Sequence, residues 1–197
     1  PLADPKDRSD WSKLYQPWWT DEYYNKTNVL MYYEPAPEKD EPMAEDYFLD
    51  AVEKNLDQNI CPWIEAHPET EFYLFYPPYS ILYWNDVIRQ KELDAVIEEL
   101  LYTTGGLLAY DNVRVFSFLG AEEIICNLNN YADYIHYHED TCRYIADCFA
   151  SGEMELTEEN CEAAFGALRK LVSDYDYGAI WEDWQDPRPR FYQGQGG

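Results

Sequence analysis

The compact apolar run Phe72-Tyr73-Leu74-Phe75-Tyr76 and the strand-like segment Val113 to Phe118 constrain the fold of this chain more than any other feature. A strand buried inside a parallel sheet is covered on both faces, so it reads as a continuous apolar run rather than an alternation. Pro77-Pro78 closes the first run, because proline cannot donate to a sheet ladder. Between the two segments, Asn85 or Asp86 is placed to cap a helix reaching about Tyr102. Its inward face would carry Val87, Ile88, Leu93, Val96, Ile97 and Leu100 or Leu101, and Gly105-Gly106 would mark its end. Strand, helix and strand make a right-handed crossover whose strand-end loops, Pro77 to Ser80 and Ser117 to Gly120, open on one edge where a site belongs.

The rest of the chain is arranged around that unit. Apolar residues at Phe48, Ala51, Val52, Leu56, Ile60 and Ile64 have helical spacing and predict a helix from about Ala44 to Ala66, ended by His67-Pro68. Residues 1 to 44 hold six prolines and the Trp11, Trp18, Trp19 cluster, a composition of extended coil that predicts an arm packed on the body. Within it, Asn28 to Tyr33 has the composition of a short edge strand. Further helices are expected at about Glu139 to Ala150 and, with Thr157 as cap, at about Glu158 to Ser173. The expected organisation is an arm (1–44), an α/β domain (45–184) and a flexible Pro, Gln and Gly-rich tail (185–197). With so few strands the sheet has an edge open to pairing, so an oligomer formed through that edge is expected.

Thirty-nine acidic against fourteen basic residues give a net charge of −25, which repels phosphate backbones and anionic lipid surfaces. Nucleic acid is therefore not an expected partner, and no apolar segment is long enough for membrane insertion. The acids are interleaved with aromatics rather than arrayed along one face, which argues against mimicry of a phosphate backbone. An apolar content of 46% supports a core for one domain. Five cysteines, Cys61, Cys126, Cys142, Cys148 and Cys161, show neither C-x-x-C nor zinc spacing and are expected as free thiols. The start at Pro1 suggests a processed or trimmed product.

Chemistry concentrates at Asp133 and His136. A histidine activates a hydroxyl by taking its proton, and a carboxylate on the other ring nitrogen stabilises the imidazolium that results. Ser80 and Ser117 are the serines in loops expected near the same edge, and Ser80 is the better candidate because two prolines stiffen its turn. Two histidines at i and i+2, His136 and His138, stand with Asp133, Glu139 and Asp140. At a helix start that spacing splits the imidazoles, while the acids complement the helix dipole, so neither a metal nor a cofactor is expected. Tyr76, Tyr79, Tyr83 and Trp84 offer an aromatic platform for a glycan or a partner protein, with Tyr79, Tyr83 and Trp84 the candidate substrate-binding residues.

Three segments in order, Pro77-Pro78-Tyr79-Ser80, then Asn130-Tyr131-Ala132-Asp133-Tyr134-Ile135-His136-Tyr137, then Leu156-Thr157-Glu158-Glu159-Asn160, resemble the later portion of bacterial cell-surface proteins of the SGNH-type hydrolase superfamily. The resemblance covers about Phe48 to Val172. It implies a partial three-layer α/β/α, flavodoxin-like fold with a small, mostly parallel sheet. It also implies ester hydrolysis or O-acyl transfer on an extracytoplasmic glycan, with His136 as base and Asp133 as its partner. The superfamily's Gly-Asp-Ser-like nucleophile block, its oxyanion-hole glycine and its Gly-x-Asn-Asp asparagine have no counterpart in residues 1–70. The resemblance therefore implies either a serine supplied from upstream or a domain that keeps the fold as a binding or assembly module.

Overall fold

The structure, a computed structural model, describes residues 21–185 and 187. The Trp11, Trp18, Trp19 cluster, the first part of the predicted arm and the tail, Gln185 and Pro187 apart, lie outside the described residues. The architecture is mixed α/β, with a three-stranded sheet of order β1-β2-β3. Strand β1 (Phe72–Tyr76) and strand β2 (Val113–Ser117) pair in parallel, Phe72 opposite Val113 and Tyr76 opposite Ser117. Both therefore end at the same edge. Strand β3 (Glu155–Leu156) runs antiparallel to β2, so the sheet is mixed.

The first helix, α1 (Lys26–Tyr32), occupies the segment whose composition suggests an edge strand. Asn25 decides the matter: its side chain accepts the Asn28 N–H and caps the first turn, while Val29 and Leu30 are buried. Residues 33–43 then run beside α4 (Ile81–Arg89). Asp86, half-buried under that segment, accepts the Tyr33 hydroxyl at 2.7 Å and the Ala36 N–H at 2.8 Å, so it ties the segment down instead of capping a helix. Lys39 N–H donates to the Arg89 carbonyl and Met43 N–H to that of Lys91.

The predicted 44–66 helix is a broken run: α2 (Leu49–Asn55), a π-helical turn (Leu56–Ile60) and α3 (Cys61–Ala66). Pro62 in the first turn of α3 has no N–H to give, and the looser π turn absorbs that loss. The crossover is likewise two helices, α4 and α5 (Leu93–Leu108). Glu92 N–H reaches the Val87 carbonyl and Lys91 N–H that of Ile88, a Schellman closure with Lys91 left-handed at φ 53°. Gly105-Gly106 does not end α5. An added Cβ at Gly106 would lie 3.3 Å from Leu56 Cδ1, so this glycine lets the π turn approach the helix.

The remaining helices are α6 (Glu122–Ile125), α7 (Glu139–Ser151) and α8 (Cys161–Asp174). Helix α8 starts later than expected, because the Asn160 side chain turns back to accept the Thr157 N–H. Val113, Val115 and Leu156 face the main core with residues of α4, α5 and α8, including Trp84, Leu100, Phe165 and Leu168. On the opposite face Phe116 and Phe118 meet Ile145 and Cys148 of α7. Among the described residues no helix is long and apolar enough to cross a membrane.

Candidate functional site

The two loops singled out by the sequence are joined in space. After a short 3-10 turn at Leu128–Asn130, Tyr131 and Tyr137 form an antiparallel bridge that pinches residues 132–136 into a tight loop. Ala132 N–H donates to the His136 carbonyl and His138 N–H to that of Asn130, closing its base. Tyr131, fully buried, donates its hydroxyl to the Pro78 carbonyl at 2.6 Å. From the other side, the Ser80 hydroxyl donates to the Tyr134 carbonyl at 2.6 Å. The 77–80 turn at the end of β1 is thus cross-braced to the Asp133 loop.

Within the loop Asp133 does two jobs. Its Oδ1 accepts the N–H of Ile135 at 2.9 Å and of His136 at 2.8 Å, an Asx turn that sets the backbone. Its Oδ2 lies 2.6 Å from His136 Nδ1. Burial works to raise the Asp133 pKa, but the Ile135 N–H, the His136 ring and the His136 N–H together hold it below the usual carboxylate range. The His136 side chain is 55% exposed and that of Asp133 34%, so the imidazole stands at the surface on a carboxylate fixed by backbone donors.

Ser80 is drawn to the right neighbourhood for a different purpose. It is 0% exposed and its hydroxyl proton is spent on the Tyr134 carbonyl. As a catalytic serine it is contradicted on both counts, since a nucleophile must reach substrate. Ser117 ends β2, half-buried, its N–H on the Met154 carbonyl. Trp84, at 1% exposed, is a core residue and offers no platform; the indole belongs inside because α4 turns that face toward the sheet. Tyr79 and Tyr83 are half-buried and packed on each other with ring centroids 4.7 Å apart, and burial pushes Tyr83 up to about 12. Tyr76 bonds Thr104 at 2.9 Å beneath the sheet.

The second histidine goes elsewhere. His138 caps α7 by accepting the Asp140 N–H on Nδ1, and its ring stands edge-on to Tyr24 at 4.6 Å. Glu139 and Asp140 both engage Arg143, and no group of His, Cys, Asp or Glu among the described residues is disposed to hold a metal ion. A cleft of about 560 Å³ lies on the α7 side, lined by Gly120, Glu122, Asn130, Thr141 and Tyr144, among others. Neither Asp133 nor His136 lines it. Tyr131, the buried post that holds the two loops together, has no functional signal in the sequence; only its place two residues before an Asx-turn aspartate hints at a shaped loop.

The fold defines a small mixed α/β domain with an aspartate–histidine pair at the strand-end edge. Comparison with models of known families, with curated proteins and with solved structures gives no match.

Proposed function

We propose that this chain is an SGNH-like domain of partial three-layer α/β/α type, in which Asp133 and His136 form the base half of a Ser-His-Asp relay. The reaction is ester hydrolysis or O-acyl transfer on an extracytoplasmic, cell-surface glycan. The 2.6 Å contact between His136 Nδ1 and Asp133 Oδ2 supports this reading most. In such a relay the carboxylate orients the imidazole, which takes the proton of an attacking hydroxyl and then returns it to the leaving group. The serine is supplied from outside this chain, Ser80 being buried and committed, and on the chain alone His136 acts as a general base on water.

That same commitment of Ser80 favours a second reading, a catalytically inactive binding or assembly domain. Hydrolysis of p-nitrophenyl acetate separates the two. A catalytic His136 predicts a loss of about 10²-fold or more in His136→Ala, the ordinary worth of a general base. Equal rates in both proteins contradict the hydrolase reading. A fluorophosphonate probe located by mass spectrometry adds an independent check, since label on Ser80 would overturn its assignment as a loop brace.

A further inference from the structure

We infer that the outer edge of β1, unpaired among the described residues, is a self-association surface, where a second copy of this chain adds its own β1 in antiparallel pairing centred on Leu74. This stands apart from the acyl-transfer reading. Phe72 N–H donates to the Asn112 carbonyl and the Tyr76 carbonyl accepts the Phe118 N–H, so the backbone groups of Phe72, Leu74 and Tyr76 face β2. By strand parity those of Tyr73 and Phe75 point outward along the edge. Their side chains are also the open ones, Tyr73 at 37% and Phe75 at 41%, against the half-buried Phe72, Leu74 and Tyr76. Helix α7 covers β2 on that face and reaches β1 through Phe149, whose ring lies 5.7 Å from Tyr73 and 5.6 Å from Phe75.

The occupant follows from symmetry and charge. A two-fold axis at Leu74 sets Tyr73 opposite Phe75 of the second copy, and Phe75 opposite its Tyr73. All four outward N–H and C=O groups of each copy then find partners, and an aromatic faces an aromatic in both pairs. A chain of net charge −25 opposes most contacts with itself, but residues 72–85 are its longest stretch without Asp, Glu, Lys or Arg. In this register each Glu71 falls opposite a Pro77 rather than another acid. Glu71 is moreover tied to Tyr73, whose hydroxyl also takes a hydrogen bond from Arg114. The patch that meets its copy is therefore the one least opposed by charge.

Sedimentation velocity of the chain from low micromolar to near-millimolar concentration should show a monomer–dimer equilibrium. Phe75→Lys, which sets like charges near the axis, should leave only monomer. Phe75→Pro should do the same while folding normally, because the N–H it removes points away from β2. Amide exchange on the unaltered protein requires no variant: the Tyr73 and Phe75 N–H groups should become protected as concentration rises. A chain monomeric throughout, a dimer indifferent to both substitutions, or exchange at those two amides independent of concentration would each overturn the assignment.

Discussion

The 77–80 turn and the 132–136 loop touch each other at one edge of the sheet, yet they put their polar side chains to opposite uses. In the turn, Ser80 is fully buried and its hydroxyl serves a carbonyl of the facing loop. In the loop, Asp133 spends one oxygen on backbone N–H groups and the other on an imidazole that stands in solvent. A buried hydroxyl whose single proton is already donated is a structural element, whereas an exposed imidazole oriented by a fixed carboxylate is equipped for chemistry. Neighbourhood alone does not make a catalytic pair; the commitment of each proton does.

Substitutions should separate brace from pair in order of size. Tyr131→Ala removes a fully buried ring and the bond to Pro78, and should cost about 3–5 kcal/mol in urea unfolding, the range for large aromatic truncations in a core. A cost near zero would mean that the two loops are not held together at this post. Ser80→Ala leaves the Tyr134 carbonyl without its hydroxyl donor, with only the Ser80 N–H at 3.3 Å remaining, and should cost about 1–2 kcal/mol. If Ser80→Ala left stability untouched and removed esterase activity, the comparison would be reversed.

Asp133→Asn should cost about 1 kcal/mol near neutral pH through weakened bonds to the loop and the ring. Its pH dependence carries the sign. The Asp133 carboxyl is held below its ordinary value in the folded state, so its contribution is complete above the unfolded carboxyl range near pH 4 and is lost as pH falls through the lowered folded value. Thermal melts of wild type and Asp133→Asn should therefore converge over the acid window that opens below about pH 4. A gap unchanged across that window would show that the charge contributes nothing. His136→Ala should be the mildest, within about 0.5 kcal/mol, because the ring is mostly exposed and the Asx turn survives without it.

How much of this was legible beforehand differs from element to element for physical reasons. Strand β1 stands out as an apolar run closed by a proline pair and β2 as a segment rich in Val and Phe followed by a glycine, and their shared edge follows from parallel pairing. Strand β3 is two residues long and leaves no pattern to read. The segment 26–32 carries strand-like residues but folds as helix because a local cap at Asn25 and burial of Val29 and Leu30 outweigh propensity. The break between α4 and α5 was hidden because the left-handed position that usually shows itself as glycine is Lys91. At the site, the spacing of Asp133 and His136 was enough to place them together, since their contact is local. The role of Ser80 was not, because its partner lies 54 residues away and is a carbonyl, which leaves no trace in residue identity.

The account depends on the carboxylate of Asp133 fixing which nitrogen of His136 carries the proton. A long-range proton–nitrogen correlation spectrum of the histidine side chains at about pH 8.5, where an ordinary imidazole is neutral, reads this directly. The predicted result is His136 in the Nδ1–H tautomer, with the share of that tautomer falling in Asp133→Ala. A proton on Nε2, or a tautomer unaffected by removing the carboxylate, would contradict it.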